Sequence, residues 1–347
     1  MLRKTCILVF VALFGLTAGV NMLFAGGGQA KPGGPLTPAA QLVPPPGKTL
    51  LSLPVDQASP KPIKIAAIIV QSNPWGQAVL AGQEYAKKVL ADRNCTVDCI
   101  SIEDFDAPKT MSVVENCIAS GYNAITFVGI SDALQPSVDK AVDAGIIVHI
   151  FNTDPGPNSK RQAWYGQSGI EGGELCGEAL VKAMGGSGKY GIITGYFSII
   201  GHEERRTGAH SVIDKYPDMK LVGEFENRDK AEEAYNITTN LITVNPDLKG
   251  IYVAAGGPSG AAKAVEDAGL AGKIAIVCHD VLPESAPYVA SGTISAALDQ
   301  DPFNQGYQPV VDAFNRIVAG IIPPDKTFYK GVMATPQTIR QLFPELF

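Results

Sequence analysis

The 347-residue sequence contains 28 lysines and arginines against 34 aspartates and glutamates, which gives a net charge of -6. Apolar residues make up 46% of the chain and charged residues 18%, a balance typical of folded α/β proteins and not of disordered chains. The basic residues are scattered along the chain, so the phosphate neutralisation on which nucleic-acid binding depends is not indicated. A chain of this length favours two folded lobes.

The amino terminus has the pattern of an export signal. A basic pair precedes an apolar run over residues 7–20, and small residues follow around Ala25 and Ala30. We predict a signal peptide over residues 1–25 and a periplasmic destination. An uncleaved membrane anchor stays open as an alternative, because the run approaches the ~20 apolar residues that span a bilayer. Cys6 lies at the beginning of the run and not at its end, so lipidation is not predicted.

A segment rich in Gly, Pro and Ala follows, over residues 26–61. It includes three consecutive prolines at 44–46 and has no hydrophobic period. Such composition is typical of a disordered or polyproline-like chain, so we predict a spacer. The spacer would hold the folded body away from the membrane, or it would be a tolerated tail.

From residue 63 onward, apolar segments alternate with segments of helical period. The predicted strands are 63–70, 97–102, 124–128, 146–151, 190–194, 220–226, 250–254, 274–278 and 294–297. The predicted helices are 76–90, 110–119, 133–144, 172–184, 203–215, 230–244, 259–268, a short one from 284, and 305–319. Strands that are apolar throughout, with helices between them, indicate parallel sheets covered on both faces.

Two such sets in tandem predict an α/β protein of two doubly wound parallel-sheet lobes joined by a three-segment hinge. The amino-terminal lobe is predicted to contain residues 62–165 and 301–323, and the carboxy-terminal lobe residues 166–300 and 324–347. The hinge would consist of three crossovers, near residues 155–167, 299–304 and 320–324. Rotation of the lobes about these crossovers would open and close a cleft.

Five cysteines follow the predicted signal, at positions 95, 99, 117, 176 and 278. A disulfide among Cys95, Cys99 and Cys117 is open, and burial as small apolar side chains is the alternative. The chain has no Cys-x-x-Cys pair, and its four histidines lack the spacing of metal ligands. We therefore predict no metal site and no cofactor.

Polar and aromatic residues follow the predicted strands at the point where each strand ends. Ligands of open parallel sheets bind beyond the carboxyl ends of the strands, so these residues are candidates for a binding site. They lie at 73–75, 152–154, 202–205, 256–259, 279–280 and 299–301. Amides and carboxylates hydrogen-bond hydroxyl groups, and an indole offers an apolar platform to a sugar ring. The sequence therefore predicts a neutral polyol as ligand.

Three of these segments resemble the periplasmic sugar-binding proteins of the ribose and galactose type, which are the substrate receptors of ABC importers. They are Asn73-Pro74-Trp75-Gly76, Ile146-Ile147-Val148-His149-Ile150-Phe151-Asn152 and Leu298-Asp299-Gln300-Asp301-Pro302-Phe303. The resemblance covers residues 63 to about 319. It implies the type I periplasmic-binding-protein fold, a monosaccharide or polyol as ligand, an ABC permease and ATPase as partners, a monomer, and no catalysis.

The resemblance also implies which residues bind the ligand. They are Asn73, Trp75, Asn152, Thr153, Glu203, Arg205, Gly256, Asp280 and Gln300. In this assignment Asn73 donates to a hydroxyl, Trp75 stacks on the ring, and Glu203 or Arg205 lies where several members present an Arg. Pentose-binding members typically carry Asp-Arg where this chain has Asn152-Thr153, and a second-lobe Asn near residues 254–257, which argues against ribose itself.

Each assignment has a structural alternative. Asn73 could simply begin a helix, Trp75 could anchor the first lobe, and Asp280 could cap a loop. The charged run at 202–206 could be a solvated helix start. His279 is interpreted as structural, because no Ser or Cys stands in a nucleophile motif with it.

Three other function classes share some of these sequence features. A periplasmic receptor for a chemotaxis or sensor-kinase system stays open as the alternative to an importer. A DNA-binding regulator would need an amino-terminal helix-turn-helix, and residues 1–61 have no such pattern. An exported enzyme is not predicted, because the chain shows no triad, metal motif or close carboxylate pair.

Overall fold

The computed structural model describes residues 35–347. The predicted signal peptide, the alternative anchor and the first part of the predicted spacer lie outside these residues. Among the described helices, none combines the length and the apolar character needed to cross a membrane.

The amino-terminal lobe is a six-stranded parallel sheet with the strand order β11-β5-β4-β3-β1-β2. Its strands are β1 Ile63–Val70, β2 Cys95–Ile102, β3 Ala124–Val128, β4 Ile147–Phe151, β5 Ala163–Gly166 and β11 Lys326–Phe328. Its helices are α1 Pro74–Leu90, α2 Ala107–Ala119, α3 Gln135–Asp143 and α9 Pro302–Ala319. Nearly all of β1 is buried because two hydrophobic clusters cover the two faces of the sheet, which explains its unbroken apolar sequence.

The carboxy-terminal lobe repeats this architecture, with the strand order β12-β10-β9-β8-β6-β7. Its strands are β6 Gly188–Thr194, β7 Met219–Glu226, β8 Leu248–Val253, β9 Ala275–His279, β10 Ala296–Asp299 and β12 Val332–Ala334. Its helices are α4 Gly169–Met184, α5 Ile200–Ile213, α6 Ala231–Val244, α7 Pro258–Asp267, α8 Ala286–Ser291 and α10 Ile339–Leu342. The edge strand β12 pairs antiparallel with β10, and the other pairs are parallel. The prediction of two doubly wound lobes is confirmed.

The chain crosses between the lobes three times. The crossovers lie at 167–168 after β5, at 300–301 after β10 and at 329–331 between β11 and β12. The predicted third crossover at 320–324 is wrong, because residues 326–328 still pair with β5 in the first lobe. A three-residue strand leaves too short an apolar pattern to be recognised in the sequence.

The predicted disordered or polyproline-like spacer is not separate from the folded body: the described part of it, from residue 35 to 61, packs on the first lobe, so the spacer role is wrong there. Leu42, Leu50 and Val55 pack against the core between the first sheet and α9. Backbone amides of this segment donate to side chains of α9: Leu51 to Asn304 at 3.2 Å and Val55 to Asn315 at 2.9 Å. We call residues 37–56 the strap. These two α9 partners are polar side chains 253 and 260 residues away in sequence, which the composition of the segment does not reveal.

Helices α1 and α9 cross at two glycines. A Cβ on Gly82 would lie 1.9 Å from the Phe303 carbonyl oxygen, and one on Gly306 would lie 2.0 Å from that of Val79. Both obstacles are backbone atoms, so the helices would have to separate to admit a methyl group. The contact therefore depends on glycine at both positions.

We expect Gly306→Ala to lower the free energy of unfolding by about 3 kcal/mol, measured by urea titration, because overpacking forces the backbones apart. Gly121→Ala is the matched control: Gly121 has φ +68 and nothing within 4 Å of an added Cβ. The control should lose about 1 kcal/mol, from backbone strain alone. Equal losses in the two variants would contradict the close helix contact.

All five cysteines in the described part of the chain are free thiols. Burial raises the pKa of Cys95 and Cys99 to about 12 and that of Cys117 to about 11, so the thiols stay protonated. No group of three or more His, Cys, Asp or Glu side chains within residues 35–347 could hold a metal ion.

Candidate functional site

A cavity lies between the lobes, at the carboxyl ends of both sheets. It contains about 550 Å³ of space free of protein atoms, part of it open to solvent. Eight of the nine predicted ligand-binding residues line it: Asn73, Trp75, Asn152, Thr153, Arg205, Gly256, Asp280 and Gln300. Strand ends of two separate sheets thus meet in one place, as the parallel topology requires.

The first lobe contributes an aromatic wall. Trp75, on the first turn of α1, packs against Phe105 and Phe151, with ring centroids 6.3 and 6.5 Å apart. The indole is 7% exposed, and its Nε1 has no hydrogen-bond partner among the described residues. Asn73 caps the same helix, because its Oδ1 accepts from the Gly76 amide at 2.7 Å. Asn73 therefore begins a helix and Trp75 anchors the first lobe, as the structural alternatives predicted, and both residues also line the cavity.

Gln300 lies at the centre of the site and connects the lobes. Its Oε1 accepts from Asn152 Nδ2 of the first lobe at 2.8 Å and from Arg205 Nη2 of the second at 3.0 Å. Its Nε2 donates to Asp280 Oδ1 at 2.7 Å. Since Gln300 belongs to the second crossover and is 2% exposed, this network fixes the hinge in relation to both walls of the cavity.

Two of these residues have left-handed backbone conformations. Asn152 has φ 64 directly after β4, and Asp280 has φ 71 directly after β9. Asn and Asp enter this region at lower cost than bulkier residues. The sharp turn after each strand places a polar side chain over the end of its sheet, at the cavity. The left-handed backbone accounts for the choice of Asn at position 152 and Asp at position 280.

Arg205 brings a positive charge to the cavity. Its side chain is buried and donates from Nη1 to the Ala254 carbonyl oxygen at 3.0 Å. Burial raises the pKa of Asp280 above its usual range and that of Asp229 to about 6, although Arg205 partly opposes both shifts. Burial, aided by Arg205, lowers the pKa of His202 to about 3. The His202 ring is therefore neutral, and its Nδ1 accepts from the Tyr196 amide at 3.0 Å.

Glu203 is the one predicted site residue that does not line the cavity. It forms an ion pair with Arg206, which also pairs with Glu224, on the outer side of α5. His202 and Arg205 are three residues apart and share the inner face of the helix, whereas Glu203 is turned about 100° away from His202. Helical spacing thus brings Arg205 to the cavity and turns Glu203 away from it.

Four further lining residues were strand-end candidates that were not assigned to the ligand: Pro74, His202, Gly257 and Pro258. The lining residues outside the candidate ranges are Phe105, Val128, Ile130, Ile199, Asp229, Ala255, Leu282 and Glu284. Asp229 comes three residues after the end of β7, so the strand-end rule would have found it had that strand been included. Leu282 and Ile130 carry no sequence signal of a site, because apolar residues after a strand are also typical of core.

The lobes touch around the cavity. The Ile200 amide donates to the Ile130 carbonyl oxygen at 3.4 Å, and Tyr196 Oη donates to Asp104 Oδ1 at 3.0 Å. Leu282 of the second lobe packs in the hydrophobic core cluster of the first. These contacts define a closed arrangement, in which a molecule in the cavity would meet both lobes at once.

Comparison with known proteins identifies the family. The sequence profile described as "Periplasmic binding protein domain" matches residues 66–320. The chain is 28% identical over 292 residues to the D-ribose/D-allose-binding protein of Pseudomonas aeruginosa, covering 81% of this chain and 90% of the relative. It is also 28% identical over 268 residues to the D-allose-binding periplasmic protein of Escherichia coli, covering 74% and 85%.

Solved structures agree with this result. A periplasmic solute-binding protein of an ABC transporter from Actinobacillus succinogenes, solved with bound D-allose, superposes with a TM-score of 0.73 at 27% identity. The match covers 81% of this chain and 100% of that one. This family binds substrates and is not enzymatic. The chain therefore belongs to the periplasmic binding protein domain family, and the predicted resemblance to its ribose- and galactose-type sugar-binding members is confirmed.

Proposed function

We propose that this protein binds a monosaccharide or related polyol between its lobes and delivers it to an ABC importer. The observation that carries the proposal is the Gln300 network, which joins Asn152 of one lobe to Arg205 and Asp280 of the other, beside the aromatic wall. A ligand held there would contact the hinge and both lobes together. The names of the relatives support transport, so the chemotaxis and sensor-kinase alternative is not carried forward.

The chemistry of the cavity suits a sugar. Trp75 and Phe105 offer apolar surface to the C–H groups of a ring, while the unpartnered Trp75 Nε1 would donate to a ligand oxygen. Asp280 uses Oδ1 for Gln300, which leaves its Oδ2 to accept from a hydroxyl. A ligand with hydroxyls at its edge and C–H groups on its faces satisfies both kinds of surface.

Closure is the step that the ligand would control. Thr153 and Ile130 on one lobe face Gly201 and Ile199 on the other, and a Cβ on Gly201 would lie 2.6 Å from Thr153 Oγ1. Such close approach exists only when the lobes are together. A sugar that contacts both walls binds the closed state more tightly and shifts the equilibrium toward it.

The remaining parts of the proposal concern location and partners. We infer a periplasmic monomer that presents its paired lobe surfaces to the permease of an importer, whose ATPase drives uptake. A direct test is loss of uptake of the bound sugar on deletion of the gene, restored by the unaltered chain and not by a binding-deficient variant. Unchanged uptake in the deletion strain would contradict the transport role.

Binding is tested by isothermal titration calorimetry of the purified protein against D-allose, D-ribose, D-galactose, D-glucose, D-xylose, xylitol and myo-inositol. We expect saturable one-to-one binding of at least one compound, with a decrease in the radius of gyration measured by small-angle scattering. A folded protein that binds no monosaccharide or polyol would overturn the proposed function.

A further inference from the structure

The cavity carries more acidic than basic groups. Asp229, Asp280 and Glu284 line it with three carboxyl groups, and among the described lining residues Arg205 supplies the one guanidinium and no lysine is present. His202 is neutral and adds no positive charge. A cleft lined in this way favours a ligand that brings positive charge with it.

Arg205 does not neutralise the two aspartates by direct contact. Its Nη1 donates to the Ala254 carbonyl oxygen and its Nη2 to Gln300 Oε1. No ion pair within 4.0 Å joins it to an acidic group of residues 35–347. The guanidinium therefore organises the hinge network, and the aspartates are left without a bonded cation.

Each aspartate keeps one oxygen for the cavity. Asp229 Oδ1 accepts from the Gly256 amide at 2.8 Å, and Asp280 Oδ1 accepts from Gln300 Nε2 at 2.7 Å. Neither Oδ2 accepts a hydrogen bond from the described part of the chain. Both residues also have left-handed backbone, with φ 56 and 71, so the chain holds two side chains over the cavity at a conformational cost.

Burial of a carboxylate without a counter-charge is expensive, and an ammonium group in the cavity would offset that cost. The first lobe complements such a group: the Trp75 ring lines the cavity with an aromatic surface, and its buried Nε1 has no hydrogen-bond partner among the described residues, which leaves it free for a ligand oxygen. A ligand with an amine at one end and hydroxyl oxygens at the other matches both walls.

We propose that the cavity prefers a polyol bearing a protonated amine over the same skeleton with a hydroxyl, and that Asp229 together with Asp280 determines this preference. This inference rests on the proposed sugar-binding function. Asp229 is the specificity-determining residue of the pair, because Asp280 is also tied to Gln300 and so takes part in the hinge network.

The test compares matched pairs of compounds by calorimetry at pH 7: D-glucosamine with D-glucose, D-galactosamine with D-galactose, D-mannosamine with D-mannose, and an aminodeoxy-inositol with myo-inositol. We expect the amine to bind at least 10-fold more tightly than the hydroxyl form in at least one pair. The N-acetyl form, which has no charge, should lose this advantage. Asp229→Asn should reduce the preference to less than 3-fold, and the matched control Glu203→Gln should leave it unchanged.

The outcomes separate this inference from the proposed function. Tight binding of hydroxyl forms with weaker or no binding of their amines would overturn the amine preference and leave the sugar-binding function intact. An amine preference that persists in Asp229→Asn would overturn the role of Asp229. Failure of every sugar, polyol and amine to bind the folded protein would overturn both.

Discussion

Arg205→Lys is expected to weaken binding of the cognate sugar by about 30-fold or more. The guanidinium donates at once to the Ala254 carbonyl oxygen and to Gln300 Oε1, which are 49 and 95 residues away in sequence. A lysine ammonium cannot reproduce this planar, two-directional arrangement. A hydrogen bond from a charged donor contributes about 1.5 to 3 kcal/mol, and loss of one of the two sets the size of the effect.

Calorimetry with the tightest ligand of the sugar panel measures this change. Glu203→Gln is the matched control from the same helix, because Glu203 faces outward toward Arg206. The dissociation constant of the sugar from this variant should stay within about 3-fold of that of the unaltered protein. Circular dichroism of both variants checks that they are folded. Near-normal affinity of folded Arg205→Lys would show that the Gln300 network does not support the site.

Arg93→Met is expected to lower the free energy of unfolding by about 3 kcal/mol, because it removes a fully buried guanidinium that donates to three carbonyl oxygens and pairs with Asp92. The Arg93 side chain has no exposed surface. It donates to the carbonyl oxygens of Thr37 at 2.7 Å, Val55 at 3.2 Å and Val89 at 2.9 Å, and it pairs with Asp92 at 2.6 Å. Without it, the Val89 carbonyl oxygen and the carbonyl oxygens at the two ends of the strap lose their donor.

Urea unfolding measures the loss, and limited proteolysis reports on the strap itself. We expect cleavage within residues 37–56 to accelerate in Arg93→Met. Lys140→Met is the control, because the Lys140–Glu115 pair is exposed on both sides and should contribute less than about 1 kcal/mol. Unchanged stability together with a protease-resistant strap would refute the role assigned to Arg93.

The strap also reaches the second lobe. Lys48 Nζ pairs with Glu345 Oε1 at 3.1 Å, close to the carboxyl terminus and beyond α10 of the second lobe. On the first-lobe side, Ser52 Oγ donates to Asp312 at 2.5 Å on α9. A segment that looks like a linker in the sequence is thus a structural part of the body, with contacts on both sides of the hinge.

The sequence by itself determined the two-lobed fold and most of the cavity. Parallel strands covered on both faces need unbroken apolar runs, and those runs stand out between helical segments from Ile63 onward. Because the carboxyl ends of such strands meet at one edge, the residues that follow them could be chosen without a structure. This reasoning found Asn73, Asn152, Asp280 and Gln300, which the structure brings to one cavity.

Tertiary structure decided the rest, since the remaining features depend on partners distant in the chain. The strap is ordered by Arg93 and by polar residues of α9, although its own composition suggests disorder. Helix phase separated Arg205 from Glu203, and the third crossover moved because β11 finds an edge of the first sheet. Local sequence sets the period and polarity of each element, but which surface an element meets is fixed only when the lobes have folded.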